Sequence, residues 1–366
     1  MAGQPKPSIL LVDDTGNVLD SLQKALKKEL EGASVEVKTW QPKSTDIDPL
    51  RKFDSLAGPE TTLVVTDYDL TSGLRGLFGS TIVGWCQKRY IPVGDFSRGN
   101  RNELPQEPSL FELRVPPSDV EGAQYIARVW SGFQQIRQKL NSNSVFMSSN
   151  RSLAAVLASV LEKPESENQF TLYMSRLGAA NSSLLDALKA TAAPSKPSDE
   201  EKKRLLVYVL GHVLLNAILK YPGPILSEKA LCAYVAASGD EAVKLGELFE
   251  AASYRGPFAR KAHYFWRDAV DKKIDELGEG LDDQDFEMFS DFNRAAVERA
   301  LDRKLKNHDC SRCQGTKGGF LCPFTHRPVC LRADCSVSAS SWIPQGAQVC
   351  RVEKDFYDEW APLLGL

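Results

Sequence analysis

The chain has 366 residues, 42% apolar and 25% charged, with a formal net charge of −3. That length supports two or three domains, each with its own core, and the composition is that of an ordinary globular protein. The near balance of charge excludes a general attraction to nucleic acid or acidic membranes and leaves only local patches to consider.

The opening MAGQPKP has no apolar export core, and the run Ile9–Val12 is short and followed by two acids. The most apolar stretch, Leu205–Leu219, contains His212 and Asn216 and suits a buried helix better than a membrane span. The expected compartment is the cytoplasm, where thiols stay reduced.

Strand and helix signals alternate through the first part. Ser8–Asp14 (SILLVDD) is an apolar run closed by acids, and Leu19, Leu22, Leu26 and Leu30 follow at helical spacing. Ser34–Trp40 and Thr61–Asp67 read as strands, Ser80–Arg89 as a helix, and Ile91–Ser97 and Ser109–Val115 as two further strands. Gly122–Leu140 closes the segment as an amphipathic helix. This alternation predicts a doubly wound, five-stranded parallel sheet over residues 1–140.

The Ser/Asn-rich stretch Asn141–Asn150 marks a boundary. Residues 151–306 read as an all-α domain, with apolar stripes at Leu153, Val156, Leu157, Val160 and Leu161, and at Leu206, Val209, Leu210, Val213 and Leu214. Ser198 or Asp199 caps the second of these helices, Ser227 starts a shorter one, and Pro257 and Asp282 start the last two. From residue 307 to 366, cysteine, glycine and proline dominate and helical periodicity disappears.

Acids at strand ends carry the first chemical signal. Residues just beyond the carboxyl ends of parallel strands line the binding crevice of an open sheet. Asp13 and Asp14 end the first strand and Asp67 the third, and such carboxylates suit a hard cation such as Mg²⁺.

The succession LLVDD, LVVTDYDL, VGDFSRG and a strand ending before Pro116 resembles a two-component receiver domain, of the flavodoxin-like fold, over residues 8–140. The resemblance implies a Mg²⁺ site at Asp13, Asp14 and Asp67, phosphate acceptance by Asp67, and a switch role for Ser97. It also implies a lysine just before the proline. This chain has Val115 there, with Arg114 one position earlier and on the opposite face of a regular strand. A phosphate-responsive regulator and a degenerate receiver used for docking both follow. A competing resemblance is to haloacid dehalogenase-like phosphatases, whose D-x-D-x-T motif is matched at Thr66–Thr71. It makes Asp67 the nucleophile and Asp69 the general acid, and needs a further acidic pair such as Asp282 and Asp283.

Six of the eight cysteines lie beyond residue 309. In a reducing compartment such crowding points to metal, not to disulfides. Cys310 and Cys313 form a C-x-x-C knuckle, and Cys330 and Cys335 are the natural second pair for a tetrahedral zinc. Cys322, His326, His308 and Cys350 bring the candidate ligands to eight, enough for two zinc ions. Four thiolates also suit an iron–sulfur cluster, the alternative occupant. A structural zinc supplies folding energy to a segment poor in apolar residues.

Weaker features remain. Arg299, Arg303, Lys304, Lys306 and Arg312 make a basic stretch that either contacts phosphates or faces water beside a helix end. Tyr254, Phe258, Phe265 and Trp266 form either a docking surface or core. Tyr221–Arg267 loosely resembles helical regions attached to atypical receivers of bacterial conflict systems, which implies a stress or antiphage signalling context. His212 and His263 are isolated and read as packed residues. No P-loop, dinucleotide fingerprint or nucleophile elbow occurs. The sequence therefore predicts a regulatory or adaptor protein, not a metabolic enzyme, with a protein partner. The alternatives are a DNA-binding response regulator and an Asp67 phosphatase.

Overall fold

The computed structural model describes residues 6–96, 113–142, 151–174, 198–281, 286–308, 310–313 and 318–362. Ser97, Asp282 and Asp283 lie outside them. The chain forms two compact units, Met1–Ser149 with Leu188–His212, and Asn150–Ala187 with Val213–Leu366.

The first unit is the expected doubly wound sheet. Its strands are β1 (Ser8–Val12), β2 (Glu36–Trp40), β3 (Thr61–Thr66), β4 (Val93–Asp95) and β5 (Leu113–Arg114), all parallel in the order β2-β1-β3-β4-β5. β1 and β3 are buried at every position because central parallel strands are covered on both faces, which is why both carry consecutive apolar residues, Ile9–Val12 and Leu63–Val65, in place of strict alternation. Leu10, Val12 and Val64 point to one face, where they pack with Phe53 of α2 (Pro49–Leu56) and with Ile82 and Cys86 of α3 (Gly79–Gln87). Alternation sends Ile9, Leu11 and Val65 to the other face. On α1 (Gly16–Glu29) the buried residues are Leu19, Leu22 and Leu26, and this helix packs against α4 (Asp119–Ser142). Trp130 of α4 donates its indole N–H to Thr62 Oγ1 at 3.1 Å.

Helices α5 (Leu153–Val160) and α6 (Glu167–Met174) precede α7 (Asp199–Val213). A reciprocal cap starts α7, as expected: Glu201 N–H donates to Ser198 Oγ (3.3 Å) and Ser198 N–H to Glu201 Oε2 (2.9 Å). Arg204 donates to the Pro59 carbonyl, so this helix is fastened to the first unit. Gly211 allows its closest approach: a Cβ there would sit 2.2 Å from the Phe133 ring. His212, fully buried, lies edge-on to Phe133 and Tyr208. A π-helical turn, Leu214–Ile218, follows in the second unit.

The second unit joins helices and small hairpins around one core. It holds β6 (Ile225–Ser227), α8 (Glu228–Tyr234), α9 (Ala242–Leu248), β7 (Tyr264–Trp266), α10 (Arg267–Gly278) and α11 (Phe289–Leu301). The cysteine-rich end adds β8 (Phe320–Leu321), β9 (Pro328–Val329), β10 (Ser336–Val337), β11 (Val352–Glu353) and α12 (Lys354–Trp360). Leu321 and Val349 enter the same apolar cluster as Leu226, Leu231, Phe265, Ile274 and Val297.

The helix expected at Pro257 does not form. β7 pairs antiparallel with β6, Pro257 lies in the preceding loop, and the next helix starts at Arg267. Tyr254, Phe258 and Phe265 are buried core residues and Trp266 is half-buried, so they do not form an exposed patch. Among the described residues no helix is long and apolar enough to cross a membrane.

Candidate metal centre and acidic crevice

Strand order assembles the acidic site. From β1 the chain crosses to β2 on one side, while β3 lies on the other, so a crevice opens beyond the carboxyl ends of β1 and β3. Val12 pairs with Thr66 in register, and Asp67 N–H donates to the Val12 carbonyl at 2.8 Å. One residue beyond that pair, carboxylate oxygens of Asp13, Asp14 and Asp67 lie within 4.8 Å of one another. Thr15 N–H donates to Asp13 Oδ1 (2.7 Å), and the N–H groups of Ser72 and Gly73 donate to Asp14 Oδ2 (3.1 and 3.2 Å). Burial, with repulsion from Asp13 and Asp14, pushes the Asp67 pKa up to about 6 against the pull of the Tyr68 N–H. Three hard oxygen donors crowded at one rim fit a divalent cation such as Mg²⁺.

An apolar residue stands where the receiver resemblance implies a lysine. Val115 is 6% exposed, and a Cβ on Gly94 would lie 2.9 Å from one of its methyls. Its N–H donates to the Asp95 carbonyl, while the neighbouring Arg114 is exposed. Asp69, the general acid of the phosphatase resemblance, is held in a turn by the N–H and hydroxyl of Thr71. Asp67 directly follows the third strand, whereas the phosphatase resemblance implies a nucleophile at the first.

The cysteine site is built by two turns and a hairpin. Cys310 and Cys313 face Cys330, just after β9, and Cys335, just before β10, with all four sulfurs within 4.8 Å of one another. Ser311 N–H donates to the Pro328 carbonyl, and Lys354 N–H to the Cys335 carbonyl, which fixes both knuckles to their neighbours. A tetrahedral zinc with Zn–S bonds of about 2.3 Å holds its sulfurs about 3.8 Å apart. Cys313 Sγ and Cys330 Sγ are 3.8 Å apart, which fits one ion. An iron–sulfur cluster places iron and sulfide between its thiolates and would spread them farther. Backbone N–H groups of Cys313, Arg312 and Cys330 point at Cys310 Sγ; against the effect of burial they lower its pKa to about 7. Four cysteine ligands leave no open position, so the chemistry available is structural.

The second ligand set does not assemble among the described residues. Cys322 and Cys350 sit in the protein interior, and Cys350 Sγ donates to the Pro222 carbonyl. The His308 ring packs on Gly318. His326 lies on the turn between β8 and β9, near Lys229 and Lys220. The backbone donors Ser72 and Gly73, which reach Asp14 from 58 and 59 residues away, carry no signal in the sequence. The protein has a receiver-like parallel-sheet unit and a four-cysteine cluster fitting zinc, and no protein-family model, curated protein or solved structure matches the chain.

Proposed function

We propose that this protein is a regulatory adaptor whose receiver-like unit docks a protein partner through the rim around Asp67, while one zinc at Cys310, Cys313, Cys330 and Cys335 stabilises the second unit. The observation that carries this reading is the pairing of an intact acidic crevice with a buried Val115. The acids remain, but the cation that would meet a phosphoryl group is replaced by an apolar side chain packed on Gly94. Exposed aromatics beside the acids support docking: Tyr68 follows Asp67 directly, and Phe78 is bridged to Asp69.

The test compares co-purification from the native host of the wild type and a Tyr68→Ala/Phe78→Ala variant. The reading expects at least one partner to be lost with the variant. Identical partner sets would refute docking at this rim. The crowded acids favour one second reading, phosphate acceptance at Asp67. Incubation with a small acyl phosphate and Mg²⁺, followed by intact-mass measurement, separates the two. The adaptor reading expects no adduct, and an adduct abolished by Asp67→Asn would establish the phosphotransfer reading.

A further inference from the structure

Several cations that neighbour the four cysteines along the chain are matched by carboxylates. Arg312 pairs with Asp355, Arg327 with Glu353, Arg332 with Asp334 and Lys354 with Asp358. Arg351 is different: it is half-buried, and among the described residues no carboxylate pairs with it.

Its backbone and side chain join the two small hairpins. Arg351 stands just before β11, and its N–H donates to the Leu321 carbonyl of β8 at 3.2 Å. The guanidinium donates twice to Ser336 of β10, from Nε to Oγ at 2.7 Å and from Nη2 to the carbonyl at 3.2 Å. Ser336 directly follows Cys335 and is buried, and its hydroxyl donates onward to the Cys330 carbonyl at 2.5 Å. One relay thus connects Arg351 to both members of the second cysteine pair. The guanidinium carbon lies 5.8 Å from the Phe320 ring centre, so an apolar face covers it as well.

A guanidinium drawn partly out of water needs a countercharge. The charged group that bears on Arg351 is the Cys330 sulfur: burial lowers the Arg351 pKa, and the Cys330 thiolate opposes that shift. Four thiolates around one Zn²⁺ leave a net dianion, which is itself costly to bury alone. Each charge therefore answers the other. Outer contacts of this kind orient metal ligands and set how much charge they give the ion. We propose that Arg351 is the counter-ion and positioning residue of the zinc centre. Its charge offsets that of the Cys330 thiolate, and its donors, through Ser336, fix the backbone that carries Cys330 and Cys335. This inference rests on the zinc reading of the four cysteines.

The test uses the full chain loaded with Zn²⁺ or, as a spectroscopic probe, with Co²⁺. Competition with a chromophoric chelator reads zinc affinity. Arg351→Gln should weaken zinc about 10–100-fold, the usual loss when an outer-shell partner is removed. Without the cation the thiolates give charge to cobalt more readily, so the sulfur-to-cobalt absorption band should move to longer wavelength. Arg351→Lys keeps the charge and loses the planar fork, so its band should stay near that of the wild type and its affinity should fall less than in Arg351→Gln. Arg332→Gln removes an exposed cation already paired with Asp334 and should change affinity less than about 3-fold. Should Arg351→Gln fail to fold, Ser336→Ala replaces it: the guanidinium loses its anchor, and zinc should weaken at least about 3-fold. An unmoved band with affinity within about 3-fold of wild type in the variant used would overturn the proposal. Equal losses in Arg351→Gln and Arg332→Gln, or a band shifted as far in Arg351→Lys as in Arg351→Gln, would overturn it too. A wild type that takes up neither metal would instead refute the zinc reading, and the role of Arg351 with it.

Discussion

Substituting one cysteine at a time separates ligands from bystanders at the metal centre. Cys335 and Cys322 are equally buried, but only Cys335 joins the four-sulfur group. A structural zinc in small domains contributes about 10–16 kcal/mol of apparent binding free energy, so one of four thiolates is worth about 3 kcal/mol, roughly 10² in zinc affinity. Cys335→Ser should therefore release the ion to a mild chelator that leaves the wild type loaded. The hairpins it ties are two-residue pairs, β8 with β9 and β10 with β11, too short to persist alone. Hydrogen exchange at residues 318–337 should accelerate, while α10 and α11 keep their protection through Val270, Ile274, Ala296 and Val297. Cys322→Ser should keep a full zinc complement and lose about 1–3 kcal/mol of stability, the cost of a hydroxyl in an apolar site. Elemental analysis and exchange mass spectrometry read both outcomes. Two zinc ions per wild-type chain, or zinc lost equally from both variants, would refute the assignment.

Other expectations follow from burial and charge. Burial lowers the His212 pKa to about 3, against 6.5 for the free group. The unfolded chain therefore takes up the proton first, and the first unit should lose about 1.4 kcal/mol per pH unit as pH falls from 6.5 towards 3. Denaturant titrations across pH should show this slope in the wild type and not in His212→Leu. Asp67 behaves oppositely: its folded pKa, raised to about 6, makes the ionised form destabilising above that pH. Asp67→Asn should gain about 1–2 kcal/mol at pH 8, discounted for partial exposure, and nothing at pH 3, as melting curves at the two pH values will show. Glu241 is buried against Arg303, whose guanidinium holds its pKa down at about 2. Glu241→Gln should cost about 2–3 kcal/mol at pH 7 by urea denaturation, with the penalty vanishing as the wild type is protonated between pH 4.5 and 2. Gly211→Ala should cost about 1–3 kcal/mol through collision with the Phe133 ring, measured by thermal melting.

The sheet was legible because its central strands are buried on both faces. Ile9–Val12 and Leu63–Val65 are consecutive apolar runs rich in β-formers, and the acids that follow these strands mark the crevice end directly. β7 was not legible: Tyr264–Trp266 owes its extended form to pairing with Ile225–Ser227, about forty residues upstream, which no local periodicity reports. Four zinc ligands were legible individually: spacing identified Cys310 and Cys313 and offered Cys330 and Cys335 as the second pair, and these four sulfurs meet. The further candidates Cys322, His326, His308 and Cys350 share the composition but join no such group among the described residues. Cys322 and His326 close the β8–β9 turn, Cys350 Sγ donates to the Pro222 carbonyl, and the His308 ring packs on Gly318.

Charge shows the same asymmetry between chain and space, and it bears on where partners should be sought. The cations from Arg299 to Arg312 are neighbours in sequence, but Arg303, Lys306 and Arg312 pair with Glu241, Asp240 and Asp355 from distant segments, Lys304 with the nearer Glu298, and Arg299 donates to the Glu279 carbonyl. The same core that holds Leu226 and Phe265 also holds Leu321 of β8. Leu321→Ala should therefore speed hydrogen exchange in the β8–β9 hairpin even with the metal bound. Unchanged exchange there would show that the hairpin is held by its cysteines alone and not by the core.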